Sequence, residues 1–353
     1  MPRFSKNQLV EMANRVLTGA GVPARGAQIV ANELAEANLV GHDSHGVIRL
    51  KQYVDYIGEG VIKPHGAIEQ VVDTQAVSVF DGGGNFGQVV GKRALERALT
   101  KGAEAGAHSV FCRNTNHLGR LGSYTDAAAR AGFAAVLAVN GPGKGGAVAP
   151  WGSAERRLGT NPISFASPAA AGADPLVLDM TTSVTAEGKV RVAFQKGVEL
   201  PAGWLIDANG QPTTDPAKLY EGGAILPLGG PMGFKGYGLS VMMDIFCGVL
   251  SGSGVVRADL PPGTNGVWLS VYHLQSLLPR DEYDRWLSEY TQWIKSAKTT
   301  AGVDEILFPG EIEQRRRAER VAQGVDLPDG TWRQINEVAE NVGADLTGVE
   351  QME

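Results

Sequence analysis

The chain has 353 residues and a formal net charge of −6, so its length suggests about two domains. A mildly acidic surface gives no electrostatic reason to expect nucleic acid or an anionic membrane as a partner. No apolar stretch approaches the ~18 residues that a membrane-spanning helix needs. The two cysteines, Cys112 and Cys247, are too few for a disulfide scaffold or a multi-cysteine metal site. Composition therefore predicts a cytoplasmic globular protein, and its 47 glycines indicate many turns or close backbone approaches to a ligand.

Both ends of the chain are predicted to be helical. Ser5 and Gln8 form a capping-box pattern before apolar residues at helical spacing, and Pro23 opens a second helix. The segment GHDSHGVIRL leads into a predicted third helix over 47–57. Near the other end, a predicted amphipathic helix has one apolar face, and PGE at 309–311 opens a charged helix. The residues of that apolar face are Trp286, Leu287, Tyr290, Trp293 and Ile294.

The middle of the chain alternates between strands and helices, which predicts an α/β core. The predicted strands are AIEQVV, AVSVF, HSVFCR, AAVLAV, ISFASP, LVLDM and GVWLSVY, the last after a PPG turn at 261–263. Helices are predicted over 89–105 and 124–131, with a buried helix over 235–250. Residues 196–232 are predicted to form a long excursion with turns.

The segment DGGGNFGQ contains the pattern G-x-G-x-x-G at Gly82, Gly84 and Gly87. It follows a predicted strand and precedes a predicted helix, as a dinucleotide-binding loop does. However, a chain this rich in glycine gives about one such match by chance. The next strand runs into Arg113 and Asn114 rather than an acidic residue. A plain glycine-rich turn is therefore the preferred interpretation, and a dinucleotide fingerprint is the alternative.

Two histidines stand in contexts that indicate chemistry. In SHGVIR, Arg49 follows His45 by four residues, so a continuous helix would place both side chains on one face, with Ser44 able to orient the ring. In NTNHLGRLGSY, His117 follows a strand and precedes a helix, at the kind of sheet edge where α/β sites form. A nearby helix N-terminus would keep His117 neutral. The alternatives are a helix cap with a surface arginine, and a hydrogen-bonded turn histidine.

Metal binding is a competing explanation for His42 and His45, which stand on either side of Asp43. Zinc normally requires a third ligand and the cysteines are distant, so no metal site is expected. The basic run RRRAER at 315–320 is interleaved with glutamates, which favours a solvated helix face over a nucleic-acid surface.

Taken together, SHGVIR, NHLGRLGSY, GTNPISFASP, LVLDMTTS, GFKGYGLS and FPGE resemble the malate/L-lactate dehydrogenase family of the second type along nearly the whole chain. That family also includes ureidoglycolate, sulfolactate and diketogulonate oxidoreductases and a cyclic-imine reductase. The segments ANLVGHDSHG, FGQV and GYGLS are most similar to its bacterial 2-hydroxycarboxylate dehydrogenase branch.

The resemblance implies an α/β, non-Rossmann NAD(P)-binding fold with a mixed, largely antiparallel central sheet. Residues 76–274 would form the cofactor-binding and dimerisation domain, and residues 1–75 with 275–345 a helical domain built from both chain ends. A homodimer and a cofactor that is NAD or NADP, with NAD preferred, are also implied. The resemblance argues against a phosphate cradle at Gly82–Gly87.

The resemblance also places cofactor contacts in separate segments, whose hydroxyls, amides and charges can bind diphosphate and ribose. These residues are Gly119, Arg120, Leu121, Asp179, Met180, Thr181, Thr182, Ser183, Lys235, Gly236, Pro309, Gly310 and Glu311. Some members complete the Ser-His pair with an acid. Here residues 181–204 offer only Glu187 and Glu199, with Lys189 near the expected position, so a relay through Ser44 and His45 lacks its acid.

The predicted reaction interconverts a 2-hydroxy acid and a 2-oxo acid by hydride transfer. Arg49 would hold the substrate carboxylate, with Thr160 in the same site, and His117 would act as acid/base. His45, oriented by Ser44, would line the pocket or share the proton path. A cyclic imino acid reductase and a non-catalytic binding protein that retains the fold are the alternatives. Loops 140–158 and 220–235 are expected to select the substrate side chain.

Overall fold

The computed structural model describes residues 1–141, 146–170, 172–257 and 264–349. The predicted turn at 261–263 and part of the predicted specificity loop 140–158 lie outside these ranges. The helices are α1 (Lys6–Gly19), α2 (Ala24–Leu39), α3 (Leu50–Gly58), α4 (Gly87–Ala105), α5 (Gly122–Arg130), α6 (Glu187–Lys196), α7 (Ala217–Tyr220), α8 (Phe234–Met243), α9 (Arg280–Lys295), α10 (Glu311–Gln323) and α11 (Asp329–Asn341). Across the described ranges, no helix is both long and apolar enough to cross a membrane.

The strands form one large sheet and two small ones. They are β1 (Arg3–Phe4), β2 (Glu69–Asp73), β3 (Val77–Asp81), β4 (Ala107–Thr115), β5 (Phe133–Asn140), β6 (Ile163–Ser167), β7 (Leu176–Met180), β8 (Leu205–Ile206), β9 (Pro212–Thr213), β10 (Ala224–Ile225), β11 (Asn265–His273) and β12 (Val325–Asp326). The large sheet has the order β2-β3-β4-β11-β5-β6-β7. Its β3 and β4 are parallel and joined through α4, whereas its other neighbouring strands are antiparallel. The predicted α/β class with a mixed, largely antiparallel sheet is confirmed.

Helices from both chain ends share one apolar core. Buried side chains of α1, α2 and α3 pack with those of α11, and β1 pairs with β12, which ties the first residues of the chain to 325–326. The predicted capping box is present, since the Ser5 amide donates to Gln8 Oε1 at 2.7 Å and the Ser5 side chain accepts from the Gln8 amide. One face of the large sheet is covered by α4 and α5 over a second core. The division into domains at residues 75 and 275 stays a prediction.

Two helix predictions need correction. The predicted helix over 47–57 is present as the 3-10 turn Val47–Arg49 followed by α3, but it does not extend back to His45, because the extended Gly46 separates it from the 3-10 turn Asp43–His45. The predicted buried helix over 235–250 is α8 followed by the π-helical stretch Asp244–Val249, and only one of its faces is buried. Its opposite face exposes apolar side chains.

The apolar face of α9 is also exposed. Trp293 is 75% exposed and Trp286 and Tyr290 are each 56% exposed, so this face does not pack into the chain's own core. The helix is held instead by Tyr283, whose hydroxyl lies 2.6 Å from both Ser167 Oγ and the Pro168 carbonyl. The sequence pattern therefore located a face that needs burial, but not its partner.

Candidate active site

A cavity of about 590 Å³ lies between the ends of the central strands and two loops, 42–49 and 184–189. The predicted catalytic and substrate residues come together here, since Ser44, His45, Arg49, His117 and Thr160 all line it. So do many of the predicted cofactor residues, namely Gly119, Arg120, Leu121, Asp179, Met180, Thr181 and Ser183. The cavity is therefore the candidate active site.

The loop that carries Arg49 is fixed from α2. Asn38 on α2 is buried, and its Oδ1 accepts a 2.9 Å hydrogen bond from the Val47 amide. A Cβ on Gly46 would lie 2.2 Å from Asn38 Oδ1, so only glycine permits this approach. The extended Gly46 removes the helical register that predicted a shared face for His45 and Arg49. The two side chains nevertheless line one cavity, through a folded loop rather than a helix.

Arg49 is anchored but keeps one end free. Its Nε donates to the Ser44 carbonyl at 2.6 Å, and its Nη1 donates to Gln52 Oε1 at 2.6 Å. Within the described part of the chain, Nη2 makes no hydrogen bond. A guanidinium anchored in this way is preorganised to bind a carboxylate, because its plane is already set.

The two imidazoles are neighbours. The His45 and His117 rings stack with centroids 5.3 Å apart and an angle of 23° between their planes. Ser44 Oγ lies 3.0 Å from His45 Nδ1, and the Tyr53 hydroxyl lies 2.9 Å from His117 Nδ1. The spacing of the sequence did not reveal either the stacking or the Tyr53 contact.

Both rings are held in the neutral form. Burial lowers the pKa of His45 to about 3, and the charges of Arg49, His42 and Arg120 act in the same direction. Burial also lowers the pKa of His117 well below its ordinary value, with further contributions from Arg49 and His45. The lowered pKa agrees with the neutral state predicted for His117, and its largest cause is burial.

The glycines of the G-x-G-x-x-G segment serve packing next to this site. A Cβ on Gly87 would lie 2.2 Å from the Asn116 carbonyl oxygen and 2.4 Å from that of His117. A Cβ on Gly82 would lie 2.8 Å from the Asn114 carbonyl oxygen. The segment thus lets the start of α4 approach the strand end that carries His117. Its residues are not among those that line the cavity, which agrees with a glycine-rich turn rather than a phosphate cradle.

Arg120 is the most buried charge in the cavity wall. Its guanidinium lies beside Asp179, with Nε and Oδ2 3.8 Å apart, and this Nε has no hydrogen-bond partner among the described residues. Asp179 Oδ2 also accepts from the Gly122 amide at 2.7 Å. Arg120 further lines a second cavity of about 540 Å³, together with Gly310. It thus contacts both cavities.

The side-chain hydroxyls of the residues that follow Asp179 donate hydrogen bonds to backbone carbonyls. Thr181 Oγ1 donates to the Ser183 carbonyl, Ser183 Oγ to the Thr185 carbonyl, and Thr182 Oγ1 to the Thr160 carbonyl at 3.0 Å. Thr182 lies behind the cavity wall rather than in its lining. These hydrogen bonds fix the shape of the loop, in which Thr181 and Ser183 line the cavity.

The remaining predicted cofactor residues lie elsewhere. Lys235 and Gly236, at the start of α8, do not line the cavity, and Gly236 packs against the Leu228 backbone. Pro309 borders a separate apolar groove on the sheet, and its carbonyl accepts from the Val177 amide. The Glu311 carboxylate pairs with Lys295 and accepts from the Phe308 amide.

The acid missing from the Ser-His pair is missing in space as well. Glu187 lines the cavity but pairs with Arg191 and accepts from the Tyr220 hydroxyl. Gly188 of α6 faces Ser44, since an added Cβ there would lie 3.2 Å from Ser44 Cβ. Among the described residues no carboxylate hydrogen-bonds to Ser44, so the pair stands without a third member.

His42, one of the two histidines for which metal binding was the competing explanation, has a different partner. His42 Nε2 lies 3.4 Å from Glu313 Oε1, and Asp43 pairs with Arg320 and accepts from Asn38. Over the ranges that the structure describes, no three histidine, cysteine, aspartate or glutamate side chains form a metal-binding group.

Comparison with known proteins identifies the class. The sequence model for malate/L-lactate dehydrogenases matches residues 4–336. The chain is 37% identical to a malate dehydrogenase from Pyrococcus horikoshii over 97% of this chain and 96% of that one. It is 33% identical to hydroxycarboxylate dehydrogenase B from Escherichia coli, over 97% and 94% of the two chains. The solved sulfolactate dehydrogenase from Methanocaldococcus jannaschii superposes with a TM-score of 0.88 at 34% identity, covering 99% of each chain.

The relatives are dehydrogenases of 2-hydroxy acids, so this chain is an oxidoreductase that acts on 2-hydroxy acids. The chain belongs to the malate/L-lactate dehydrogenase family.

Proposed function

We propose that the protein interconverts a 2-hydroxy acid and a 2-oxo acid with a nicotinamide cofactor, with His117 as acid/base and Arg49 as the carboxylate ligand. The observation that carries this proposal is the convergence of Arg49, His45 and His117 in one cavity. The carboxylate and the hydroxyl of a 2-hydroxy acid are attached to the same carbon. A site that binds and oxidises such an acid therefore needs a cation and a base side by side.

The residues fit a nicotinamide dinucleotide. Gly119 and Arg120 both line the cavity, and the positive charge of Arg120 would attract a phosphate group of the cofactor. We place the adenosine end toward the second cavity, where Gly310 lies. Its wall has more carboxylates than arginines, which favours the ribose hydroxyls of NAD over the phosphate of NADP. The acids are Glu33, Glu36, Asp126, Asp174 and Glu313, and the arginines are Arg120, Arg130 and Arg317.

Arg49 orients the substrate. Its Nη2 is free to donate to one carboxylate oxygen, while the contacts to Ser44 and Gln52 prevent the guanidinium from turning. His117 takes the hydroxyl proton as the substrate carbon is oxidised and returns it when the 2-oxo acid is reduced. When bound, the nicotinamide would supply the acceptor or donor of the hydride, so the alcohol loses a hydride from carbon and a proton from oxygen, two electrons and two protons in all. Stacking on neutral His45 keeps the His117 ring in place.

The test is a substrate panel on the purified protein. NADH and NADPH are each assayed with oxaloacetate, pyruvate and a cyclic imino acid, for the wild type and His117→Ala. We expect oxidation of the reduced cofactor with a 2-oxo acid, faster with NADH, and a loss of about 10²–10⁴-fold in the variant. Turnover of the imino acid alone would support the reductase alternative instead. A cofactor that binds without turnover of any of these would support a binding protein.

We further propose a homodimer formed through the part of the large sheet's second face that α8 and the π-helical stretch leave uncovered. An apolar groove there is bordered by Phe165, Leu178 and Tyr272, all of which are exposed. The exposed aromatic face of α9 and the exposed apolar face after α8 would add to the interface. An apolar surface of this extent is typical of a subunit contact. Light scattering should give the mass of a dimer for the wild type and a lower mass for Phe165→Asp. A monomeric wild type would contradict the proposed dimer.

The cytoplasmic location stays a proposal. Its support is that Cys112 and Cys247 are both free and buried.

A further inference from the structure

A buried tyrosine and a buried glutamine lie behind the His117 ring, on the side away from the cavity. Tyr53 belongs to α3 and is 1% exposed, and Gln88 belongs to α4 and is fully buried. Gln88 Nε2 donates to the Tyr53 hydroxyl at 2.7 Å, and that hydroxyl lies 2.9 Å from His117 Nδ1. Neither Tyr53 nor Gln88 is among the residues that line the cavity.

The donors and acceptors along this chain determine where the histidine proton lies. An amide nitrogen can only donate, so the Tyr53 oxygen accepts from Gln88. The single Tyr53 proton is then directed at His117 Nδ1, which must accept it. A neutral imidazole that accepts at Nδ1 carries its own proton at Nε2. In this arrangement His117 carries an N–H at its other nitrogen, Nε2, which can donate a hydrogen bond to the oxygen of a 2-oxo acid.

The same chain has a second arrangement. Gln88 Oε1 is buried and has no hydrogen-bond partner among the described residues. A half-turn of the amide would exchange Oε1 and Nε2, and the Tyr53 hydroxyl would then donate to Gln88. The Tyr53 oxygen would accept from a proton on His117 Nδ1, and Nε2 would become a free base. Either orientation leaves one amide atom unpartnered, so the two differ little in hydrogen bonding.

We propose that Gln88, acting through Tyr53, is a positioning residue that sets which ring nitrogen of His117 carries the proton. The catalytic consequence of this inference rests on the proposed acid/base role of His117. The position of the proton on the ring can be measured whether or not that role is correct. In the arrangement that the structure shows, the proton lies at Nε2. Rotation of the Gln88 amide makes Nε2 available as the base for oxidation of the hydroxy acid.

Nitrogen NMR of protein labelled with ¹⁵N-histidine tests this directly. The two ring nitrogens differ strongly in shift according to which one bears hydrogen, and the His117 signals are assigned by their loss in His117→Gln. We expect a protonated Nε2 in the wild type. Gln88→Glu supplies a carboxylate that accepts from Tyr53, so the proton should move to Nδ1. Gln88→Glu combined with Tyr53→Phe should return it to Nε2, since the link is cut.

Tyr124→Phe is the matched control for loss of a buried phenol hydroxyl. Tyr124 is also buried, and its hydroxyl donates to the Leu118 carbonyl rather than to His117. We expect the wild-type tautomer in this variant. A wild-type proton at Nδ1, or a proton that stays at Nε2 in Gln88→Glu throughout pH 6–9, would overturn the proposal.

A kinetic readout separates positioning from a structural role. Arg49, His45 and Tyr53 are the titratable groups that face His117. A hydrogen bond donated to Nδ1 favours the neutral ring, so Tyr53→Phe should move the acid limb of kcat/KM for oxidation up by about 0.5–1 pH unit. An unmoved limb, or an equal shift in Tyr124→Phe, would contradict this. A protein that shows the expected tautomers but no turnover of any 2-hydroxy acid would refute only the proposed function.

Discussion

Replacement of Gly87 by alanine tests how the site is built. Gly87 lies at the start of α4, where its Cα faces the carbonyl oxygens of Asn116 and His117. An added Cβ would lie 2.2 Å from the first oxygen, whereas ordinary contact begins at 3.4 Å. One of the two backbone segments must therefore move by about 1 Å, and a misplacement of that size beside a reacting centre costs about 10²-fold in rate.

The Gly87→Ala protein should therefore lose about 10²-fold in kcat and about 1–3 kcal/mol in the free energy of unfolding, the usual cost of overpacking. Rates of 2-hydroxy acid oxidation and urea denaturation measure the two effects. Gly330→Ala in α11 is the control, because a Cβ there meets no atom within 4 Å. It should keep its rate and its stability. A Gly87→Ala protein with unchanged kcat and unfolding midpoint would refute the packing described for His117.

The other predictions concern the charged and titratable groups. His117→Ala should lower kcat by about 10²–10⁴-fold, while a fluorescence titration should show that cofactor binding is retained. A mild loss of kcat in His117→Ala together with a severe loss in His45→Ala would instead assign the acid/base role to His45. Arg49→Lys should raise KM more than it lowers kcat, because one ammonium group cannot keep the contacts to Ser44 and Gln52 and also bind the substrate carboxylate; an unchanged KM would count against it. The folded-state pKa values of His45 and His117 lie below the ordinary value of 6.5, so the unfolded chain binds more protons below that pH. Stability is therefore complete above pH 6.5 and falls as the pH drops toward about 3, by up to about 1.4 kcal/mol per pH unit for each ring. The free energy of unfolding, measured with urea at pH 5 and at pH 7.5, should differ less between the two pH values in the His45→Gln/His117→Gln protein than in the wild type. An equal difference in the two proteins would contradict this.

Local patterns predicted most of the elements. The capping box at Ser5, the proline at 23 and the apolar runs located helices and strands, because each rests on contacts within a few residues. The break at Gly46 could not be predicted, because it depends on Asn38, which is near only once α2 is folded. Likewise, the exposed faces of α8 and α9 have an apolar pattern that says nothing about what covers them.

The site divides in the same way. His45, Arg49 and His117 could be found, since their residue types and their loop positions are visible in the sequence. Tyr53 and Gln88 were missed. Tyr53 follows Arg49 by four residues, and Gln88 follows the glycine-rich turn, but nothing in either segment shows that α3 and α4 meet behind His117. This part of the site depends on contacts between segments that are distant in the sequence.

A crystal structure with reduced nicotinamide cofactor and an unreactive analogue of a 2-oxo acid tests the central claim most directly. The account predicts that the analogue's carboxylate lies on the Arg49 guanidinium and that its 2-oxygen lies about 3 Å from Nε2 of His117. A carboxylate bound away from Arg49, or a 2-oxygen out of reach of both His117 and His45, would contradict it.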